Sequence, residues 1–160
     1  MVQLRVRDLM TTQVITVKPT DTVRQAGIKK ALDNVTGAPV VDNRNHVLGV
    51  ISQTDILQLI LKYQDKLDEE IHSEHLLSQP MDTDNQSADM TLINKEFSGM
   101  KVEDIMVRST LYTTPDAEIV EALRMMMKMD VNRLPVLEQG ILVGTVSRSD
   151  VIFAIYKKKV

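Results

Sequence analysis

The alternation of apolar and polar positions along the chain is written twice. Val14-Ile15-Thr16-Val17 and Leu111-Tyr112-Thr113 are short β-branched or aromatic runs that stop just ahead of a proline, and each predicts a strand. Beyond them Val23, Ala26, Ile28, Ala31 and Leu32, and later Ile119, Ala122, Leu123, Met126 and Met127, recur at broadly helical spacing. Thr20 and Asp116 stand where N-caps belong. Pro39-Val40-Val41 and Pro135-Val136-Leu137 then predict strands opened by proline, which a strand tolerates at its first residue or on an edge. Polar turns follow, Asp42-Asn43-Arg44-Asn45 and Glu138-Gln139-Gly140. The return strands run from Val47 to Ile51 and from Ile141 to Val146, with a helix beginning at Ser52 or Ser147. Each unit reads β-α-β-β-α.

The two copies also match residue by residue. Val6-Arg7-Asp8-Leu9-Met10 returns 96 residues on as Val102-Glu103-Asp104-Ile105-Met106, and Pro39-Val40-Val41 returns as Pro135-Val136-Leu137. After a one-residue deletion the offset becomes 95, and the stretch from Gly49 to Ile56 pairs with that from Gly144 to Val151. Units of about 55 residues bury little core alone, so two of them are expected to fold against each other and create two related clefts. The expected organisation is repeat one over 1–62, a charged and polar linker over 63–98, and repeat two over 99–160. The first part of the linker, 62–77, has helical propensity and should prolong the helix from Ser52. Residues 79–88, with Pro80, Asp82, Asp84, Asn85 and Ser87, read as loop.

Composition narrows the function classes. A net charge of −3 and an aromatic content of 3% without tryptophan argue against a nucleic-acid surface, which needs a basic stripe or stacking platforms. The lack of cysteine excludes disulfides and thiolate metal sites. The first residues lack a signal-like apolar run, and the longest apolar runs are too short to span a bilayer, so a soluble cytoplasmic protein without a membrane partner is expected.

The duplicated order resembles the CBS domain pair, also called a Bateman module. The features that carry the resemblance are the opening Val-x-Asp-(Leu/Ile)-Met, the strand-Pro-(Thr/Asp) start of the helix, the (Ala/Leu)-Pro-Val strand start, and Gly-x-x-Ser-x-x-Asp-(Ile/Val). Two copies in register cover about three-quarters of the chain, leaving the linker outside. The resemblance implies an α+β fold of tandem pseudo-symmetric repeats packed through their sheets, dimerisation through helices, and an adenosine ligand.

Ser52-x-x-Asp55 and Ser147-x-x-Asp150 admit two readings. A serine N-cap with an acid three residues on satisfies orphan amides as a capping box does. The same helix N-terminus offers N–H groups to a phosphate, and the aspartate can accept from both hydroxyls of a ribose. In the resembled family, residues at these positions hold the ribose and phosphate of adenosine ligands, which places Ser52, Thr54, Asp55, Ser147 and Asp150 in the expected site. Arg148 and Arg133 are candidates for the phosphate. Their counterparts Gln53 and Gly37 carry no charge, so the cleft with the arginines should prefer more phosphate. A lone surface arginine more often makes a weak exposed pair. Ala38-Pro39 and Leu134-Pro135 would flank a slot for a flat base, since a residue before proline is held extended. Ile15-Thr16 and Tyr112-Thr113 would form its opposite wall.

Other features point elsewhere with less force. Met125-Met126-Met127 and Met129 suit core or helix–helix packing better than a soft metal, and some could face a partner. His72 and His75, with Glu70 and Glu74, have metal-compatible helical spacing but lie in a highly charged segment that reads as a solvated face. Lys157-Lys158-Lys159 suit a helix C-terminus and are too few to argue for a membrane. There is no nucleophile–histidine–acid constellation and no glycine-rich phosphate loop, so an enzyme is not expected. The reading is a regulatory homodimer that needs no cofactor, senses an adenosine ligand such as AMP, ADP, ATP or S-adenosylmethionine, and signals to a regulated protein that the sequence does not identify. Its rivals are a ligand-free oligomerisation module and a metal-responsive switch at His72 and His75.

Overall fold

A computed structural model of the chain describes residues 3–33, 37–70, 88–108 and 111–156. Among them the elements run α1 (Val6–Leu9), α2 (Val23–Asp33), β1 (Gly37–Val41), β2 (Val47–Ser52), α3 (Gln53–Glu70), α4 (Ala88–Gly99), α5 (Val102–Ile105), α6 (Ile119–Lys128), β3 (Arg133–Glu138), β4 (Ile141–Ser147) and α7 (Arg148–Tyr156). The fold is α+β, with β1 paired to β2 and β3 to β4 in two small sheets. β3 and β4 are antiparallel, with Arg133 opposite Ser147, Leu134 opposite Val146, and a register slip between Val136 and Leu137. Gln139 (φ 53°) and Gly140 (φ 81°) close this hairpin. Two successive positive φ values match the right-handed twist of the flanking strands, and glycine takes the second at no steric cost.

The expected strands at 14–17 and 111–113 contract to one parallel bridge each, Val17 to Val40 and Thr113 to Val136. The second shows why. Thr113 donates its N–H to the Pro135 carbonyl at 3.0 Å and accepts from Leu137 N–H at 2.9 Å. The next donor in this ladder would be the nitrogen of residue 135, and proline has no N–H to give. Pro39 stands at the same place, accepting from Val17 N–H at 3.1 Å. The two prolines are therefore not first residues of their strands; β1 and β3 begin two residues earlier.

The expected N-caps also move by two residues. The Asp21 N–H donates to the Lys18 carbonyl at 3.1 Å and the Ala117 N–H to the Thr114 carbonyl at 3.2 Å, so a turn intervenes in both repeats. α2 then starts from a capping box at Thr22: its N–H donates to Gln25 Oε1 at 2.8 Å, and Gln25 N–H returns to Thr22 Oγ1 at 3.1 Å. α6 starts after Glu118, which makes no side-chain cap. Within α2 Val23 and Ala26 are buried, whereas Ile28, expected on the same face, is exposed.

The chain divides into two compact units that cut across the repeats: residues 1–16, 41–49 and 108–160 in one, 17–40 and 50–107 in the other. In the first unit Val6 N–H donates to the Ala117 carbonyl at 2.9 Å, Arg7 N–H to Pro115 at 3.0 Å, and Thr11 bridges Thr145 of β4. Arg7 also pairs with the Asp116 carboxylate. The second unit repeats the pattern: Val102 N–H donates to Asp21 at 2.8 Å, Glu103 N–H to Pro19 at 3.0 Å, and Val107 bridges Val50 of β2. Each opening Val-x-Asp turn is thus stitched to the other repeat's strand and helix. The apolar member of each turn, Val6 or Val102, is fully buried there.

The first unit's core gathers Val6, Ala122, Met126, Leu134, Val136, Val146 and Val151. Of the methionine run, Met126 is core and Met125 packs against it, while Met127 and Met129 are exposed. The second unit holds one cluster of Val17, Ala26, Ala38, Val40, Ile51 and Val102, and another built by the linker flanks. There Met90, Ile93 and Phe97 of α4 bury against Leu59, Tyr63 and Leu67 of α3 and against Val23. The sequence reading assigned no helix to 88–99, although the spacing of Met90, Ile93 and Phe97 is helical. Tyr63 and Phe97 meet edge to face at 5.6 Å, and the Tyr63 hydroxyl donates to Glu96 Oε1 at 3.0 Å. Burying such side chains contributes roughly 1.5–3 kcal/mol each, so this part of the linker is core. Residues 71–87, including His72, Glu74, His75 and positions 79–87 of the expected loop, and the terminal lysines lie outside the described residues, while Ala88, expected in that loop, opens α4. Among those described, no helix is long and apolar enough to cross a membrane, and no group of three or more His, Asp or Glu is placed to hold a metal ion.

Candidate functional site

Both Ser-x-x-Asp motifs sit at helix starts. Before α3, Ser52 N–H donates to Asp55 Oδ2 at 2.7 Å, the Ser52 hydroxyl reaches the same oxygen at 3.0 Å, and Asp55 N–H donates to Ser52 Oγ at 3.2 Å. Before α7, Ser147 N–H donates to Asp150 Oδ2 at 2.8 Å, and Asp150 N–H to Ser147 Oγ at 3.1 Å. Each is a complete capping box that fixes the first helical turn and its carboxylate. The box engages Oδ2, leaving Oδ1 of each aspartate outside it as an acceptor. Thr54, one residue earlier, is exposed.

The second set of candidate residues converges within one unit. The β3–β4 register puts Arg133 beside Ser147, at the end of β4 from which α7 departs. Thr113, buried, bridges β3 on its other side, with Tyr112 exposed next to it. Leu134 is fully buried and Pro135 buried, so what they could offer a ligand is backbone. Tyr112, Thr113, Arg133, Leu134, Pro135, Ser147, Arg148 and Asp150 therefore share the strand starts and helix start of a single sheet end. The first set is divided: Ile15 and Thr16 belong to the first unit, and Ala38, Pro39, Ser52, Thr54 and Asp55 to the second. Ala38 is fully buried.

The two arginines differ in what they hold. Arg133 Nε is buried and has no hydrogen-bond partner, alone in this among the described residues. A buried donor without an acceptor costs about 1–3 kcal/mol, more when charged. Arg148 is engaged by the protein: Nε donates to the Val131 carbonyl at 3.1 Å and Nη2 to the Met126 carbonyl at 3.0 Å, with the Asp130 carboxylate at 3.4 Å from Nη2. The sequence reading missed this acceptor set. Its one visible signal is Asp130 just beyond a helix end, where a residue tolerant of left-handed backbone is wanted; its φ is 52°. Gly37, the counterpart of Arg133, opens β1, where among the described residues an added Cβ would meet only the Ile51 carbonyl at 3.7 Å.

The CBS domain profile matches residues 6–62 and 102–157. The chain belongs to the CBS domain family. It is 28% identical over 152 residues to uncharacterized protein MJ1426 of Methanocaldococcus jannaschii, covering 94% of this chain and 90% of that one. It is 29% identical over 141 residues to the chloroplastic CBS domain-containing protein CBSX2 of Arabidopsis thaliana, covering 86% of this chain and 57% of that protein. The crystal structure of CBSX2 in complex with AMP superposes with a TM-score of 0.71 at 26% identity, covering 98% of both chains. The CBS domain pair of protein MJ0100 has the same fold, with a TM-score of 0.70 at 17% identity over 98% of this chain and 99% of that one. The span amounts to 15% of an A-adding tRNA nucleotidyltransferase of Aquifex aeolicus, so among the relatives it can be a small part of a longer protein.

Proposed function

We propose that the chain is a regulatory module that binds an adenosine nucleotide at the second repeat, without catalysing a reaction. The observation that carries this reading is the register of Arg133 beside the Ser147–Asp150 helix start. It pairs Arg133, whose Nε is buried and unpartnered, with the strand residue that caps α7, a helix whose Asp150 keeps a spare acceptor oxygen. An anionic group would satisfy the arginine, and the helix start favours the same charge. Asp150 Oδ1 suits a ribose hydroxyl, and the backbone at Leu134 and Pro135, with Tyr112 and Thr113, suits a base. The AMP complex of CBSX2 supports the same ligand class. Asp55, with Ser52 and Thr54, would serve a second site that lacks a counterpart to Arg133.

Occupancy would reach a partner through a dimer. α7 is apolar nearly all round: Val151 is buried, while Ile152, Phe153, Ile155 and Tyr156 are exposed on it. Four large exposed apolar side chains on one helix suit a second copy of the chain better than water.

Calorimetric titration with AMP, ADP, ATP and S-adenosylmethionine tests the reading, with Asp55→Ala and Asp150→Ala as controls. Binding that Asp150→Ala weakens is the expected result; no binding to any of the four overturns it. A second reading, a ligand-free oligomerisation module, draws on the capping boxes, which are complete without a ligand. A thermal-shift panel separates the two, because ligand at a hundred times Kd adds about 2.7 kcal/mol.

A further inference from the structure

Arg148 closes the end of α6 and the connection that leads into β3. Its backbone N–H donates to the Asn132 carbonyl at 2.9 Å, and its guanidinium takes the carbonyls of Val131 and Met126. One residue thus holds three backbone carbonyls of residues 126–132, the segment that ends immediately before Arg133. The segment needs holding. Asp130 takes a left-handed φ of 52°, a conformation that aspartate tolerates better than most side chains but less well than glycine. Val131 N–H reaches back to Met126 at 3.0 Å in the manner of a Schellman cap, leaving that carbonyl with capacity for the second donor that Arg148 supplies. A guanidinium at a helix C-terminus also meets the negative end of the helix dipole. The Asp130 carboxylate adds little, since its side chain is 97% exposed.

With Nε and Nη2 committed to backbone carbonyls, the guanidinium is fixed in place and keeps only Nη1 outside the clamp. Arg133 is the opposite case, with Nε buried and unpartnered. We infer that Arg148 is a positioning residue: it clamps the α6–β3 connection so that Arg133 is presented to an anionic group of the ligand, and it does not itself bind that group. The inference rests on the proposed function for the identity of the ligand. It assigns the two arginines of the second repeat different work and makes phosphate preference a property of Arg133 alone. Repeat one has Gln53 in place of Arg148 and Gly37 in place of Arg133, so clamp and clamped side chain are missing together.

The test uses the full chain as wild type, Arg148→Lys, Arg148→Gln, Arg133→Gln and the double variant R133Q/R148Q. Amide hydrogen exchange at Val131 reads the clamp; titration with AMP and with adenosine reads phosphate recognition. Lysine keeps the charge but lacks the planar fork that serves several acceptors at once. Both Arg148 variants are expected to speed exchange at Val131. Both should weaken AMP roughly tenfold, the worth of one charge-assisted hydrogen bond, and leave adenosine unchanged. The double variant should bind AMP no more weakly than Arg133→Gln, because the two residues act in series. Additive losses, wild-type AMP affinity in Arg148→Lys, or unchanged Val131 exchange would each overturn the inference. A wild-type chain that binds neither AMP nor adenosine fails the proposed function and the ligand half of this inference, whereas the exchange readout judges the clamp by itself.

Discussion

Gly144 passes so close to Thr11 that a Cβ in its place would lie 2.8 Å from the Thr11 carbonyl and 3.1 Å from Met10 Sδ. This approach lets the chain's opening segment pair with β4 through the Thr11–Thr145 bridge. Gly144→Ala is expected to destabilise by about 1–3 kcal/mol, the usual cost of overpacking, because a backbone oxygen must move. Among the described residues nothing lies within 4 Å of a Cβ added at Gly27, inside α2. The same substitution there should stabilise by about 0.5–1 kcal/mol through helix propensity. Denaturant melts measure both; equal effects would mean that the Gly144 contact yields freely.

Tyr63 should hold its proton to unusually high pH. Burial against α4, followed by its bond to Glu96, pushes its pKa from 10.0 up to about 12. The folded state then keeps a proton that the unfolded state loses above pH 10. The contribution is complete below pH 10 and disappears as pH rises through about 12. Melting followed from pH 9 to pH 12 should show a decline that Tyr63→Phe removes. The difference in phenolate absorbance between wild type and Tyr63→Phe gives an independent readout: if the component lost with Tyr63 titrates at 10.0, the burial is contradicted.

Asp150 serves a cap and, on the proposed function, a ribose. Asp150→Ala should cost about 0.5–2 kcal/mol of stability as a lost cap. Asp150→Asn keeps an oxygen for the Ser147 N–H and should restore most of that stability. It should still lose nucleotide affinity, because an amide oxygen accepts more weakly than a carboxylate. If Asp150→Asn recovers melting temperature and AMP affinity together, the carboxylate is only a cap.

The exposed face of α7 gives a solution prediction. Phe153 is 68% exposed and Ile155 63%. If a second copy covers them, the double substitution F153D/I155D should convert a dimer to a monomer in sedimentation velocity without lowering the helical signal. A wild-type chain that sediments as a monomer at tens of micromolar removes this route of transmission.

The sequence by itself determined the repeat, the α-β-β-α order within each unit, both Ser-x-x-Asp capping boxes and the hairpin turn at Gln139 and Gly140. These rest on contacts between near neighbours, where side-chain type and spacing act directly on the backbone. It also marked glycine at 49 and 144 in the repeated motif, although the reason at Gly144 is the distant segment Met10–Thr11 passing beside it. Tertiary structure alone decided that the opening Val-x-Asp turns exchange repeats, that Met90, Ile93 and Phe97 turn linker into core, and that Pro135 ends a parallel ladder after one bridge. It also decided that Arg133 Nε is buried without a partner while Arg148 is held by Met126 and Val131. An arginine's reach exceeds the local geometry that sequence controls, so its partners follow from which carbonyls the fold leaves nearby. The chain spells out its helix starts; only packing chooses which cation is left for a ligand.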